Sequence, residues 1–133
     1  MKTSINFKAA KSDSEIHNFR KKSFDYIRKD LTHKNEYWME QKIADRLLKI
    51  ETFCKEKSGR KLQKNAMPVR EAVVVIKENT TMQDLHNLSK RLEEELKIRV
   101  FQIAIHKDEG HYDKDTKEWK PNYHAHLVAD WQD

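Results

Sequence analysis

The densest chemistry in the chain lies in its last quarter. His124 and His126 stand one residue apart inside Tyr123-His124-Ala125-His126-Leu127-Val128-Ala129-Asp130, an apolar run that reads as a strand. Alternation along a strand puts His124, His126 and Val128 on one face, and Tyr123, Ala125, Leu127 and Ala129 on the other. Two imidazoles about 7 Å apart on one face make a chelating pair, because neutral imidazole is the commonest metal-binding side chain. The strand before it, Val100 to His106, sets Gln102, Ala104 and His106 on one face and Phe101, Ile103 and Ile105 on the other. If the two strands are neighbours, His106 joins His124 and His126. Three nitrogen ligands on a rigid sheet, with positions left open, suit a catalytic rather than a closed structural metal. Asp108 and Glu109 follow His106 directly and add carboxylates to the cluster. A lone strand histidine is ordinarily a satisfied polar residue, so it is the convergence that marks these. His111 falls in the loop beyond, and His86 lies among charges on a helix and reads as a surface residue.

These residues need a scaffold. Ser4 to Ala9 reads as a short first strand. Ser12-Asp13-Ser14-Glu15 is a capping box that opens a helix to about Ile27 on Ile16, Phe19, Phe24 and Ile27. After a polar break from Leu31 to Asn35, a second helix is expected from about Glu36 to Lys57. It carries Met39, Ile43, Leu47, Ile50 and Cys54 at three- and four-residue spacing, with Gly59 as its C-cap. Ala72 to Ile76 is β-branched and apolar on both faces, which predicts a central strand covered on both sides. Thr80 or Thr81 caps a third helix on Leu85, Leu88, Leu92 and Leu96, and a polar stretch from Lys107 to Asn122 separates the two histidine strands. The sum is an α/β chain of the α+β sandwich kind, with helices packed on a small, mainly antiparallel sheet.

Composition narrows the function. With 133 residues, one domain is the natural reading. Apolar and charged residues each make up 37%, no window resembles a membrane span, and the start has no signal-peptide core. Cys54 is the single cysteine, which excludes an intrachain disulfide framework and fits a cytoplasmic setting. Lys55, Lys57, Arg60, Lys61, Lys64 and Arg70 face Glu56 alone between Phe53 and Arg70, a local surplus equal to the chain's net +5. Such a segment is either a solvated helix end and loop or a phosphate-tracking surface.

His106-Lys107-Asp108-Glu109 followed by Pro121-Asn122-Tyr123-His124-Ala125-His126 resembles the metal motif of HUH endonucleases. The other motifs look like the Mob/Pre (MOBV-type) family of plasmid mobilization relaxases. Its His-Asn-x-Arg motif is matched by His17-Asn18-Phe19-Arg20 and its His-x-Asn motif by His33-Lys34-Asn35. Its arginine before the first core strand is matched by Arg70 in Arg70-Glu71-Ala72-Val73. The four matches run in the family's order from about residue 16 to 130.

The resemblance implies a relaxase fold and a bacterial, cytoplasmic enzyme of conjugative mobilization. Such an enzyme nicks one strand at a transfer origin, stays joined to the 5′ phosphate and later rejoins the strand. It implies Mn²⁺ or Mg²⁺ held by His106, His124 and His126, with His17 as nucleophile. Glu109 is then a further ligand or an orienting partner, and Arg20 and Arg70 hold phosphate oxygens. Origin DNA, single-stranded or as a hairpin, is the implied partner. Its expected contacts are Lys21, Lys22, Asn35, Lys57, Arg60, Lys61, Lys64 and Lys120, with bases stacking on Trp38, Tyr37 or Trp119. Accessory mobilization proteins and a coupling protein are further implied partners, and residues 1–133 would be one relaxase domain at the N-terminal end of a longer protein. Three features depart from the family pattern. The segment Gly110 to Lys120 is longer, Asn122-Tyr123 separates Pro121 from His124, and Glu36 with Tyr37 follows His33-Lys34-Asn35. Tyr26 and Tyr37 therefore stand as rival nucleophiles. A DNA-binding module without chemistry and a metallohydrolase of small phosphoesters are the alternative functions.

Overall fold

The computed structural model describes residues 7–10, 14–20, 27–59 and 68–131. Among them, five strands form one sheet in the order β1-β3-β7-β4-β2, with every neighbouring pair antiparallel. The strands are β1 (Phe7–Ala9), β2 (Glu36–Met39), β3 (Val69–Val75), β4 (Ile98–His106) and β7 (His124–Trp131). Two further strands, β5 (Gly110–Tyr112) and β6 (Trp119–Pro121), make a separate hairpin. The helices are α1 (Ser14–Asn18), α2 (Ile43–Ser58) and α3 (Met82–Leu96), with a 3₁₀ turn at Lys29–Lys34. The expected α+β sandwich is what forms, and no described helix is long and apolar enough to cross a membrane.

One face of the sheet is closed by α3. Leu85 and Leu92 pack with Val74, Ile98, Val100, Ile103, Ile105, Ala125, Leu127 and Ala129. Thr81 caps this helix with a complete capping box: its hydroxyl accepts from the Asp84 amide, and the Asp84 carboxylate accepts from the Thr81 amide. The opposite face is covered in part by α2, whose Ile43, Leu47 and Ile50 pack on Val69, Phe101 and Val128. A register shift between Val100 and Gln102 explains how Phe101 reaches that side. The extra residue of a bulge reverses the alternation, so Phe101 does not share the face of Ile103 and Ile105 as the simple period predicts.

Several elements differ from expectation, each for a local reason. The first helix does not continue to Ile27: its turn ends at Arg20, which takes a left-handed φ of 55°. Ile27 instead forms a lone antiparallel bridge to Glu109. Ser12 lies outside the described residues, and the Glu15 carboxylate accepts from the Ile43 amide and the Gln102 side-chain amide. Glu15 thus stabilises the amino end of α2, whose own N-cap residue Lys42 offers no side-chain cap. Glu36 to Met39 is a strand rather than the first turn of α2, pairing with Gln102 to Ile105. Its aromatic pair Tyr37-Trp38 suits a pleated surface better than a helix. β3 is covered on both sides only in part, since Val73 and Val75 remain 52% and 75% exposed. The central strands are β7 and β4. Gly59 does cap α2, at φ 71° and with its amide donating to Lys55.

Candidate metal centre and active site

Register places the sheet histidines together. His106 pairs with His124, and His124 with Val75; Ala104 pairs with His126, and His126 with Val73. Directly paired residues share a face, so all three imidazoles project to the side that α3 leaves open. Their ring centroids lie 4.7 to 5.1 Å apart. All three are buried.

The hydrogen bonds fix which ring nitrogen of each carries the proton. His106 Nε2 lies 2.7 Å from the Asn18 carbonyl and His124 Nδ1 lies 2.9 Å from the Asn122 carbonyl. A carbonyl only accepts, so both nitrogens donate. His126 Nδ1 donates to Glu71 at 2.6 Å. Each imidazole in its neutral form therefore presents its other nitrogen as a lone pair. The free His106 Nδ1 and His124 Nε2 meet at 3.2 Å, and Glu109 Oε2 approaches them at 3.0 and 2.8 Å. His126 Nε2 is buried without a hydrogen-bond partner among the described residues. Converging lone pairs beside a carboxylate repel unless a cation lies between them, and orienting each ligand by a bond to its far nitrogen is how proteins build metal centres. Imidazole and carboxylate donors suit a divalent first-row ion. By this chemistry His106, His124, His126 and Glu109 fit such an ion.

His17 comes from α1, which lies over this face. Its ring stands 5.9 Å from that of His106 and 5.7 Å from that of His126. Ligand atoms of His17, His106, Glu109 and His126 all fall within 4.8 Å of one another. Burial lowers the His17 pKa against the opposing pull of Glu109, and Arg20 lowers it further, both favouring the neutral ring. Burial likewise lowers that of His126, with Glu71 opposing. For Glu71, burial acts upward but hydrogen bonds from His126, Ser14 and Asn18 outweigh it and hold the carboxyl at about 2. Burial also acts upward on Glu109, and His106, His124 and Arg20 together keep it far below the usual carboxylate range.

Arg20 is committed to the protein interior. Its guanidinium donates to both oxygens of the fully buried Asp108 at 3.1 and 2.8 Å, to Glu109 at 2.8 Å and to the His17 carbonyl at 3.1 Å. Thr32 completes Asp108 at 2.8 Å. These bonds give Arg20 a positioning role: it joins the backbone that carries His17 to Glu109. Arg70 lies on the other face of β3, its guanidinium 4.7 Å from the Trp131 ring, because the pleat turns it away while Glu71 faces His126. Asn35 is buried, donating to the Tyr37 hydroxyl and accepting from the Lys107 amide, so it braces the end of β4. Tyr37 is on the histidine face, but burial raises its hydroxyl pKa.

Of the expected DNA contacts, Lys57 ends α2 beside Phe53 and Lys120 is exposed on β6. Lys21, Lys22, Arg60, Lys61, Lys64 and the rival nucleophile Tyr26 lie outside the described residues. Trp38 packs on the α3 side, its ring 4.8 Å from the partly buried His86. Sequence reasoning missed Glu71. Its place follows from register: it lies two residues before Val73, which pairs with His126, so the pleat sets both on one face.

No family model and no curated protein matches the chain. Solved structures do. The chain is similar to the MobM relaxase domain (MOBV; Mob_Pre) bound to plasmid pMV158 oriT DNA, in a Mn-bound crystal structure at pH 5.5, with TM-score 0.64 and 15% identity. Mn-bound structures of that domain at pH 4.6, and at pH 6.8 with a 3′-thiophosphate, match with TM-scores 0.60 and 0.61. Each match covers 95% of this chain and 68% of the other. The likeness establishes the fold: this sheet and its helices are arranged as in a relaxase domain.

Proposed function

We propose that the chain is a metal-dependent relaxase domain that nicks one DNA strand at a transfer origin, links itself to the 5′ phosphate and later rejoins the strand, mobilizing a plasmid or transposon. On this reading residues 1–133 are one domain at the N-terminal end of a longer bacterial, cytoplasmic protein. Accessory mobilization proteins and a coupling protein complete its partners. The observation that carries it is the placement of His17, from a different part of the chain, 5.7 to 5.9 Å from two of the sheet histidines. The relaxase-like fold supports it.

The chain's own residues define the chemistry. Neutral His17 attacks phosphorus through a ring lone pair; the new P–N bond forms as the P–O3′ bond breaks, the electron pair leaves on O3′, and the N–H proton of the other ring nitrogen passes through water to that oxygen. The phosphoramidate keeps the energy of the broken bond, so attack by the 3′-OH reverses the step and frees His17. Arg20 holds the His17 backbone and Glu109 in register throughout. His106, His124 and His126 beside Glu109 would hold a divalent ion, Mn²⁺ or Mg²⁺, which when bound would supply positive charge to the non-bridging phosphate oxygens.

The test is an adduct. The protein is incubated with Mn²⁺ and DNA spanning the origin of its own element, denatured in SDS, and the modified peptide mapped under non-acidic conditions. The expected result is a protein–DNA adduct on the peptide bearing His17, lost in His17→Ala and in EDTA. An adduct on Tyr26 or Tyr37 keeps the relaxase and discards this nucleophile. DNA binding with neither nick nor adduct makes the chain a binding module.

A further inference from the structure

The longer segment between the two histidine strands is built, not loose. β5 begins at the residue after Glu109, and β6 ends three residues before His124, so the hairpin is rooted on the candidate site at both ends. The Asn122 amide donates to the Glu109 carbonyl at 2.8 Å, closing that root. Gly110 lets the two strands meet there: a Cβ would lie 2.4 Å from the Lys120 carbonyl oxygen and 2.8 Å from the Trp119 ring. At the far end Asp113 accepts from the amides of Asp115 and Thr116, while its own amide donates to Glu118. Trp119 carries the Arg28 guanidinium 5.2 Å from its ring centre and takes Tyr112 edge-on at 4.9 Å. Tyr112, braced this way, is 59% exposed.

We propose that this hairpin is a stacking platform for the single strand entering or leaving the site, with Tyr112 receiving one unpaired base. The inference rests on the relaxase reading. The occupant follows from chemistry. The hairpin mixes Lys114, Lys117 and Lys120 with Asp113, Asp115 and Glu118, so it offers no net positive charge to a backbone or to an acidic partner. What it offers is an exposed aromatic, braced by Trp119, on a hairpin rooted at Glu109 and close before His124, and every base has a face to stack. A duplex, its bases already stacked, gains nothing from Tyr112.

The test measures anisotropy of labelled short single strands tiling the DNA around the protein's own gene, without added metal. Tyr112→Ala is expected to weaken the best single strand about tenfold, with Tyr112→Phe unchanged and duplex binding unaltered. Because the contact is stacking, the dependence of affinity on salt is expected to keep its slope in Tyr112→Ala. Strands carrying 5-iodouracil should photo-crosslink to the Tyr112 peptide. Unchanged affinity in Tyr112→Ala, a changed salt slope, or crosslinks confined to other peptides overturns the platform and leaves the relaxase reading intact. Failure of the wild-type chain to bind any single strand removes that reading, and the platform with it.

Discussion

Among individual residues, the site depends on partners that hold the imidazoles rather than on the imidazoles alone. Glu71 is the clearest case: it fixes His126 through Nδ1 at 2.6 Å and is itself steadied by Asn18 at 2.9 Å. Glu71→Gln keeps the shape but removes the charge that orients the ring. Its expected effect is a 10- to 100-fold loss of Mn²⁺ affinity, the usual range for a lost orienting partner, read by metal titration of folded protein. Unchanged affinity would show that the charge of Glu71 does not tune His126 as a ligand. The three sheet histidines were legible because alternation sets the face of a strand residue locally, and the bulge in β4 falls before Gln102, so the row from Gln102 to His106 keeps its period. Glu71 was not, because its role depends on β3 lying beside β7, and register between strands some fifty residues apart has no local signature. Arg20 shows the same limit: its type suits phosphate, and no local signal foretells that four of its N–H bonds run to Asp108, Glu109 and the His17 carbonyl.

The elements divide by whether their signals are local. α3 was readable from end to end, since its cap, its apolar stripe and its length lie within one segment. Thr81→Ala removes the hydroxyl half of the capping box and is expected to cost about 1 kcal/mol, with Thr81→Ser close to neutral, as measured by urea unfolding. An equal loss in both would place the effect in packing rather than in the cap. β2 and α2 were fused in the reading because Met39 and Ile43 keep helical spacing across the junction. What separates them is tertiary: β4 offers an edge to Glu36–Met39, and Glu15 accepts from the amide at the start of α2. The hairpin of β5 and β6 escaped notice because its polar sequence has no apolar alternation. Its order comes from the Trp119–Arg28 stack, the Tyr112 contact and the close approach at Gly110.

Across the whole molecule, the candidate site couples segments that are remote in the chain. His106 comes from β4, His124 and His126 from β7 and Glu109 from the segment between those strands, while Glu71 on β3 bonds His126 and His17 on α1 stands beside His106 and His126. An ion bound to such a set binds the folded chain and not the unfolded one, so it must stabilise the fold globally. At a Mn²⁺ concentration 100 times its dissociation constant, the gain is about 2.7 kcal/mol. For a chain of this size that raises the melting temperature by on the order of 10 °C. The measurement is a thermal melt with and without Mn²⁺, compared with His106→Ala and His126→Ala. Wild-type protein is expected to shift, and both variants, checked for native secondary structure by circular dichroism, to melt at one temperature regardless of the ion. A wild-type melt indifferent to Mn²⁺ would mean that the imidazoles and Glu109 satisfy one another through shared protons. A shift that survives both substitutions would place the ion elsewhere. Because this readout needs neither DNA nor catalysis, it separates the metal centre from the reaction proposed for it.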